Sequence, residues 1–244
     1  MSKGIFHLIY SDLKAAKHRD PAARSTLEVV FTYSGFHALL LHRICHMLWN
    51  IKLKFLARFL SNISRILTSI EIHPAASIAE GFFIDHGAGL VIGETSVVGK
   101  NVTIYQQATL GGISPSIDSA SQRNVKRHPT IGNNVIIGSG AQILGPITIG
   151  SNSKVGSNSV VTKDVESNKS VIGNPARYTI VPNSSGVKKF RAYGLSKGDD
   201  SRATVVEKLE KDNSDLRNRI ESTNPSSILD GNIDQFIEGG IKNK

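Results

Sequence analysis

Cysteine is almost absent from the 244-residue chain, which contains Cys45 alone. A single cysteine forms no disulfide within the chain and supplies no cysteine-based metal site, and such a composition is typical of a reducing compartment. Cys45 lies in the apolar segment HRICHMLW, where a buried helix position is favoured over a reactive thiol. We therefore expect a cytoplasmic protein and no metal site.

Long apolar runs are also missing. No stretch approaches the roughly 18 apolar residues that a membrane span requires, and the first residues lack the apolar core and cleavage site of a signal peptide. Hydrophobic residues still make up 39% of the chain, which is enough for a packed core. We expect one large domain or two small ones, without a membrane span.

Acidic residues are outnumbered, because 29 Lys and Arg stand against 20 Asp and Glu, a formal net charge of +9. The excess lies in residues 1–70, with ten basic and three acidic residues. Such a segment could bind nucleic acid or an anionic membrane. Its basic residues are, however, spread through a helical pattern without aromatic stacking residues. Solvated helix faces are favoured, and we expect neither nucleic acid nor membrane as a partner.

Residues 1–70 are predicted to form a helical domain. Apolar residues recur at three- and four-residue spacing over residues 11–18 and 25–49. The pair Asp20-Pro21 is interpreted as a helix-start signal. Residues 51–70 are amphipathic, which predicts packing against the next domain rather than a peripheral membrane helix. The apolar side of this helix carries Leu53, Leu56, Leu60, Ile63 and Leu67.

A six-residue repeat begins at residue 71 and ends near residue 182. An aliphatic residue recurs every sixth position, often followed by glycine, and four places later stands a small or branched residue. This period matches short strands that turn a corner every six residues, with three strands to a coil of about 18 residues. The pattern predicts a parallel β-helix in an α+β chain. The repeating aliphatic residues are Ile72, Ile78, Ile84, Ile92, Val98, Ile104, Leu110, Ile131, Ile137, Ile143, Ile149, Val155 and Val161.

The repeat is interrupted twice. Eight residues instead of six separate Ile84 from Ile92, and 21 separate Leu110 from Ile131. Residues 113–128 are therefore predicted to leave the β-helix as a loop. Interruptions of a regular scaffold are common places for functional residues. Residues 183–244 are predicted to form a polar tail, with one possible helix at 203–222.

Several motifs together resemble the serine O-acetyltransferase family of hexapeptide-repeat acyltransferases, over roughly residues 8–182. The resemblance implies a left-handed β-helix that transfers acetyl from acetyl-CoA to the hydroxyl of L-serine, the first step of cysteine biosynthesis. It implies no permanently bound cofactor. The motifs are HRDPA (18–22), EIHPAA (71–76), IDHGAGLVIGET (84–95), TLGG (109–112) and KRHPTIG (126–132).

The resemblance assigns roles to individual residues. His86 is the expected general base and Glu71 its carboxylate partner, where the family usually has aspartate. This agrees with simple chemistry, because an imidazole can take the proton of a serine hydroxyl and a carboxylate can fix its tautomer. His128 is expected near the hydroxyl, as a third catalytic residue.

The substrate is a zwitterion, so its site needs charges of both signs. By resemblance, Arg127 holds the carboxylate, whereas Asp20 and Asp85 hold the ammonium group. Glu94 is either a substrate ligand or a structural turn residue. Gly112 is expected to offer its N–H to the oxyanion. Coenzyme A is expected beside Ser139, Gly140, Ala141 and Ser157, with Lys163 on a phosphate.

Three alternatives remain open. The acceptor could be a sugar, an antibiotic or another hydroxy-amino acid, although Arg127 with Asp20 favours an amino acid. A zinc hydratase on the same scaffold would need three convergent histidines, for which His73, His86 and His128 are available. A scaffold that only binds partners would need no catalytic base.

The family resemblance also implies assembly. Members are trimers whose active sites lie between two subunits, and many pair into hexamers through a longer N-terminal helical region. Only about 70 residues precede the β-helix here, so a homotrimer is expected. The family's C-terminal isoleucine docks into O-acetylserine sulfhydrylase. This chain continues past Ile241 with Lys-Asn-Lys, so that complex is not expected.

Overall fold

The computed structural model describes residues 4–113, 119–179, 209 and 211–215. The chain divides into two compact units, Met1–Ser196 and Lys197–Lys244. In the second unit, residues 209 and 211–215 are helical. The remainder of the tail helix predicted at 203–222, and the end of the β-helix predicted at residue 182, lie outside the described residues.

The first unit begins with four helices: α1 (Ile5–Arg19), α2 (Thr26–Thr32), α3 (Ser34–Asn50) and α4 (Lys54–Thr68). The prediction that Asp20-Pro21 starts a helix is wrong, because Asp20 ends α1 and donates its N–H to the carbonyl of Ala16. Helix α2 instead begins after Ser25, whose hydroxyl accepts from the Glu28 N–H while the Glu28 carboxylate accepts from the Ser25 N–H. This reciprocal capping fixes the true start of the second helix.

The helix predicted over residues 25–49 is broken at Tyr33, which is extended (φ −88°, ψ 106°) between α2 and α3. The break is caused by tertiary contact. A Cβ at Gly35 would lie 2.3 Å from the carbonyl oxygen of Ile84, so the start of α3 rests directly on a strand of the β-helix. A continuous helical periodicity could not reveal this change of direction.

Helix α4 buries a different side from the predicted one. Its buried positions are the small residues Ala57, Ser64 and Thr68, whereas Leu56 is 41% exposed and Leu67 is 73% exposed. Small side chains let α4 approach α3 closely, which leaves the apolar stripe uncovered within one chain. Within the described ranges, none of the helices is both long and apolar enough to cross a membrane.

From Glu71 onward, three parallel sheets form the sides of the β-helix. Sheet A contains β1 (Glu71–Ile72), β4 (Val91–Ile92), β7 (Thr109–Gly111), β10 (Gln142–Leu144) and β13 (Val160–Val161). Sheet B contains β2 (Ser77–Ile78), β5 (Val97–Val98), β8 (Thr130–Ile131) and β11 (Thr148–Ile149). Sheet C contains β3 (Phe83–Asp85), β6 (Thr103–Tyr105), β9 (Ile136–Ile137), β12 (Lys154–Val155) and β14 (Ser170–Ile172), with β15 (Arg177–Tyr178) antiparallel at its end.

The predicted repeat is confirmed, because its thirteen aliphatic residues are all buried and pair with one another from coil to coil. Val165 and Val171 continue the core beyond the predicted positions. Burial of such a column removes a continuous apolar surface from water, which is the main stabilising term of the fold.

Asparagines stabilise the edge where the chain passes from sheet B to sheet C. Asn134, Asn152 and Asn168 all have positive φ, near 60°. Asn134 Nδ2 donates to Asn152 Oδ1 at 3.0 Å, and Asn152 Nδ2 donates to Asn168 Oδ1 at 3.1 Å. Asparagine tolerates this left-handed conformation better than most residues. At this edge, these three left-handed positions are therefore occupied by asparagine.

A buried ion pair fixes the helices to the β-helix. Arg43 of α3 donates to Asp12 Oδ2 of α1 from Nε at 3.1 Å and from Nη2 at 3.0 Å. Arg43 also donates to the carbonyl oxygens of Ile78 and Ala79, while the Phe82 N–H donates to Asp12 Oδ1. Burial raises the pKa of Asp12 to about 6, although the charge of Arg43 opposes this.

Candidate active site

The predicted site residues lie on two edges of the β-helix. The C–A edge comprises the turns at 85–90, 105–108, 138–141 and 156–159, where the chain passes from sheet C to sheet A. The A–B edge comprises the connections from sheet A to sheet B, among them residues 93–96 and the described residues 112–113 and 119–129. Both interruptions of the repeat therefore fall at edges of the β-helix, and each carries one group of polar side chains.

His86 stands on the C–A edge, in a turn two residues longer than the others. Its φ is 58°, and its side chain is 70% exposed. The other turns of this edge place Gln107, Gly140 and Asn158 at their positive-φ positions. The equivalent residue in the widened turn is Gly89, so His86 is an additional left-handed residue. Left-handed conformations of residues other than glycine often mark functional sites. The two extra residues let the imidazole project from the edge.

Two carboxylates accompany His86. Asp85 Oδ1 lies 3.7 Å from His86 Nε2. Burial raises the pKa of Asp85, and the negative charge of Asp20 raises it further, whereas the neighbouring His86 lowers it. Asp20 reaches the same region from the end of α1, where its Oδ1 accepts the Ala22 N–H at 2.7 Å. Two neighbouring carboxylates in a half-buried site favour a positively charged ligand.

Residues at the α2–α3 junction complete this group and were not identified from the sequence. Tyr33 Oη donates to Asp20 Oδ2 at 2.6 Å, and Ser34 Oγ donates to the carbonyl oxygen of His86 at 3.1 Å. Tyr105 of β6 pairs in register with Asp85 on the neighbouring strand. No periodic signal marks Tyr33 or Ser34, because both lie where a helix is interrupted.

Glu71 lies beside the same widened turn. Its N–H donates to the carbonyl of Leu90 at 2.9 Å. Its carboxylate is 46% exposed and lies 3.8 Å from Arg65. Among the residues that the structure describes, no hydrogen bond or ion pair joins Glu71 to His86, and the carboxylate near the imidazole is that of Asp85. The pairing of Glu71 with His86 thus stays a prediction.

The second group lies on the A–B edge. Arg127 Nη2 donates to Glu94 Oε2 at 2.6 Å. Desolvation raises the pKa of Glu94, but the Arg127 hydrogen bond and the nearby positive charges outweigh it and lower the pKa below its ordinary value. The Nε of Arg127 is buried without a hydrogen-bond partner among the described residues. This guanidinium therefore keeps an unused donor beside its bond to Glu94.

His128 is 7% exposed and is held by Thr95. The Thr95 N–H donates to His128 Nδ1 at 3.1 Å, and the Thr95 hydroxyl lies 2.9 Å from the same nitrogen. Since a backbone N–H can only donate, Nδ1 must be unprotonated and Nε2 carries the hydrogen. Burial, and then the charge of Arg127, lower the pKa of His128, so the ring is a neutral Nε2–H donor near neutral pH.

Two further features fix the orientation of His128. The Thr95 hydroxyl oxygen also accepts the N–H groups of Arg127 and His128, each at 3.0 Å. The imidazole lies against Gly93, where a Cβ would be 2.0 Å from His128 Cδ2. The segment GET (93–95) thus supports the segment RH (127–128) in three ways: by the Thr95 N–H, by the Thr95 hydroxyl, and by the space that the missing side chain of Gly93 leaves for the imidazole. Thr95 was not identified as a site residue from the sequence.

The residues predicted to contact coenzyme A divide between the edges. Ser139, Gly140 and Ser157 lie on the C–A edge below His86, and Ser139 Oγ donates to Ser157 Oγ at 3.2 Å. Ala141 belongs to the same turn, but its side chain is fully buried in the core. Only the backbone of Ala141 could therefore face a ligand. Gly112 and Lys163 lie on the A–B edge and are exposed.

Within one chain, the two groups are separated by the width of sheet A. Asp20, Asp85 and His86 are brought together on the C–A edge, whereas Glu94, Arg127 and His128 are brought together on the A–B edge. Among the described residues, no three metal-binding side chains converge. His73 lies towards His128, on the opposite side of sheet A from His86, so the histidines weighed for zinc do not form one group.

The fold and the exposed edge histidine define a transferase of the hexapeptide-repeat class. Residues 128–163 match the bacterial transferase hexapeptide family, and residues 2–40 match the N-terminal region of serine acetyltransferases. The serine acetyltransferase of Bacillus pumilus is 43% identical over 217 residues, which cover 89% of this chain and 95% of that protein. The chain belongs to the serine acetyltransferase family.

Solved structures of the family have the same fold. The serine acetyltransferase of Neisseria gonorrhoeae in complex with serine superposes with a TM-score of 0.67 at 41% identity, covering 72% of this chain and 69% of that one. A serine acetyltransferase in complex with CoA gives a TM-score of 0.65 at 40% identity, covering 71% and 69% of the two chains.

Proposed function

We propose that the protein transfers the acetyl group of acetyl-CoA to the hydroxyl of L-serine, giving O-acetyl-L-serine and CoA. The observation that carries this proposal is the exposed, left-handed His86, which stands on a widened turn beside Asp85 and Asp20. Family membership and the complexes of relatives with serine and CoA support it. No permanently bound cofactor is required.

The reaction begins with proton removal. His86 accepts the proton of the serine hydroxyl while the oxygen attacks the carbonyl carbon of the thioester. A carbon–oxygen bond forms, and the carbonyl electrons move to the oxygen. When this tetrahedral intermediate collapses, the carbon–sulfur bond breaks and the thiolate of CoA takes the proton from His86. Asp85 Oδ1 lies 3.7 Å from His86 Nε2, and Glu71 lies beside the same turn. We propose that one of these carboxylates stabilises the imidazolium.

The two groups of charges suit the two ends of serine. The carboxylates of Asp20 and Asp85 attract the ammonium group, and its positive charge offsets their mutual repulsion. The Arg127 side chain is 40% exposed and offers the substrate carboxylate its other guanidinium N–H groups, while Glu94 fixes the guanidinium through Nη2. Glu94 is thus a support of the ligand site rather than a substrate contact.

His128 and Gly112 are proposed to act on the reacting oxygen atoms. The neutral His128 presents an Nε2–H, which donates to the serine oxygen or to the developing oxyanion. Gly112 is exposed at the end of β7 and offers its backbone N–H to the same oxyanion. Coenzyme A would run along the C–A edge past Ser139, Gly140, the backbone of Ala141 and Ser157, with Lys163 of a neighbouring subunit at a phosphate.

A complete site requires more than one copy of the chain. The ammonium and carboxylate groups of one serine molecule cannot reach across the width of sheet A. In a threefold assembly, the C–A edge of one subunit can face the A–B edge of the next. The exposed apolar side chains of α4, among them Phe55, Phe59 and Leu67, provide surface for such contacts. We therefore propose a homotrimer that acts in the cytoplasm, in cysteine biosynthesis.

The activity is tested by release of the CoA thiol from acetyl-CoA, read with a colorimetric thiol reagent. L-Serine, D-serine, a simple galactoside and no acceptor are compared, and the product is identified by mass spectrometry. We expect release with L-serine only, and loss of at least about a thousandfold in His86→Ala, as for removal of a catalytic base. Because Cys45 is buried, an enzyme-only blank should show little reaction.

The alternatives give different results in the same assay. Release with the galactoside alone would replace serine by a sugar and remove the roles of Arg127 and Asp20. Absence of release with every acceptor would overturn the enzymatic proposal. The oligomer is tested separately by light scattering, for which three times 26.4 kDa is expected. A monomeric active enzyme would overturn the shared site, and a hexamer would overturn the expected assembly.

A further inference from the structure

The short junction between α2 and α3, residues 33–35, contacts both functional parts of the C–A edge. Its tyrosine binds the carboxylate of Asp20, and its serine binds the backbone of His86. Tyr33 is the N-cap residue of α3, but its side chain makes no capping hydrogen bond there and donates to Asp20 instead. The junction therefore joins the proposed ammonium site to the proposed base.

The Asp20 carboxylate is held at both oxygens. Its Oδ1 accepts from the Ala22 N–H at 2.7 Å, and its Oδ2 accepts from Tyr33 Oη at 2.6 Å. The second distance is typical of a hydroxyl that donates to an ionised carboxylate. Together the two bonds fix the plane of the carboxylate and direct its remaining lone pairs. Without the tyrosine hydroxyl, the carboxylate could rotate about its terminal bond.

Tyr33 remains a donor over the whole working pH range. Burial, then the hydrogen bond to Asp20, and then the negative charges of Asp20, Glu28 and Asp85 raise the pKa of Tyr33 to about 12. The neutral phenol adds no charge beside Asp85. A lysine or arginine at this place would instead neutralise the carboxylates that attract the substrate.

Ser34 supports the turn that presents the imidazole. His86 has the left-handed φ of 58°, and the turn is two residues longer than the others on its edge. Backbone hydrogen bonds hold Ala88 and Gly89 of this turn, since the Ala88 carbonyl accepts the Gln107 N–H and the Gly89 N–H donates to the Ser69 carbonyl. At His86 itself, Ser34 Oγ donates to the carbonyl oxygen, 3.1 Å away. Gly35 permits the approach, because its missing Cβ would lie 2.3 Å from the oxygen of Ile84.

We propose that Tyr33 and Ser34 are positioning residues of the acetyl transfer proposed above. Tyr33 orients Asp20 towards the ammonium group of serine, and Ser34 fixes the turn that aims His86 at the hydroxyl. The two residues act on different steps, since one affects how serine binds and the other affects how well the bound hydroxyl is deprotonated. Their removal should therefore have different kinetic consequences.

The first variant is Tyr33→Phe, which removes one hydroxyl and keeps the ring. We expect KM for L-serine to rise about tenfold, as for loss of a hydrogen bond to a charged group, with kcat and KM for acetyl-CoA within about twofold of wild type. Tyr10→Phe is the matched control, because Tyr10 is exposed on α1 and should change nothing.

A double-mutant cycle shows whether Tyr33 acts through Asp20. Tyr33→Phe is combined with Asp20→Asn, and KM for L-serine is compared with that of Asp20→Asn alone. We expect no further increase, because the hydroxyl has no carboxylate left to orient. An equal tenfold increase in both backgrounds would overturn the assigned route.

The second variant is Ser34→Ala, which favours the helical conformation and removes only the bond to the His86 carbonyl. We expect kcat to fall about fivefold, as for loss of a neutral hydrogen bond, with KM for L-serine within about twofold. Ser61→Ala is the control, because Ser61 is a helical serine of α4 whose hydroxyl binds its own helix.

Thermal unfolding separates positioning from folding. Both variants should melt within a few degrees of wild type, and the split between KM and kcat should persist. The inference is overturned if Tyr33→Phe leaves KM for L-serine unchanged or if Ser34→Ala leaves kcat unchanged. It is also overturned if either variant loses activity only in proportion to a lower melting temperature. If the wild-type protein fails to acetylate L-serine in the same assay, the proposed function is overturned, and this inference with it.

Discussion

Replacing Thr95 by valine tests the support of His128 directly. Valine keeps nearly the same shape, but it removes the hydroxyl that accepts the N–H groups of Arg127 and His128 and that lies 2.9 Å from His128 Nδ1. Two backbone donors then lose their acceptor. Each unsatisfied donor costs about 1–3 kcal/mol, and the half-buried position favours the lower values, so the free energy of unfolding should fall by about 2–4 kcal/mol.

The same substitution should also lower kcat/KM for L-serine. The Thr95 N–H still donates to His128 Nδ1, so the tautomer is kept, but the ring loses its second contact and can tilt. We expect kcat/KM for L-serine to fall by about tenfold to fiftyfold, because small misplacements of catalytic groups are costly. The measurement is initial-rate kinetics at saturating acetyl-CoA, together with urea unfolding at fixed protein concentration.

Thr95→Ser is the matched control, because serine keeps the hydroxyl and loses only a methyl group. It should remain within about threefold of wild type in kcat/KM. If valine and serine at this position gave the same kcat/KM and the same unfolding free energy, the hydroxyl would have no role and the reasoning about His128 would be refuted.

Three further outcomes are expected. Asp12→Ala at pH 8 should lower the free energy of unfolding in urea by about 3–5 kcal/mol, because it leaves Arg43 buried without a counterion. The double variant Asp12→Leu with Arg43→Met should recover most of this loss, and an equal loss in the single and double variants would contradict the argument. Gly35→Ala should reduce kcat/KM at least about tenfold, because its Cβ would meet the oxygen of Ile84, and a crystal structure with an unmoved α3 would contradict this. Burial, and then nearby positive charges, lower the pKa of His73 to about 4, so its contribution is complete above pH 6.5 and is lost as pH falls towards 4. Because solvent screens this half-buried group, wild type should lose up to about 2 kcal/mol more than His73→Asn over that interval, as measured by unfolding at each pH. Identical pH profiles would show that His73 is not the group responsible.

The β-helix was predictable because its determinant is local and repeated. Each inward aliphatic residue, such as Ile104 or Ile137, occupies the same position in its turn, and stacking equivalent positions buries one continuous column. The interruptions were equally visible, since an extra two residues after Ile84 cannot fit a six-residue side. They fall on edges of the β-helix, where polar side chains can project.

The helical domain shows where periodicity fails. Spacing of apolar residues cannot distinguish one long helix from two helices joined at Tyr33, because the break depends on the approach of Gly35 to a distant strand. Nor could it tell which side of α4 is buried. The choice of the small residues Ala57 and Ser64 over the leucine stripe reflects how closely α4 packs against α3.

The sequence by itself determined the repeat, its two interruptions and the residue types of the site, because these follow from short-range spacing and from side-chain chemistry. The tertiary structure alone decided which of these residues meet. Sheet A separates His86 from His128, Thr95 selects the tautomer of His128, and Tyr33 reaches Asp20 across a helix break. Such contacts depend on distances between segments far apart in the chain, and no local pattern encodes those distances.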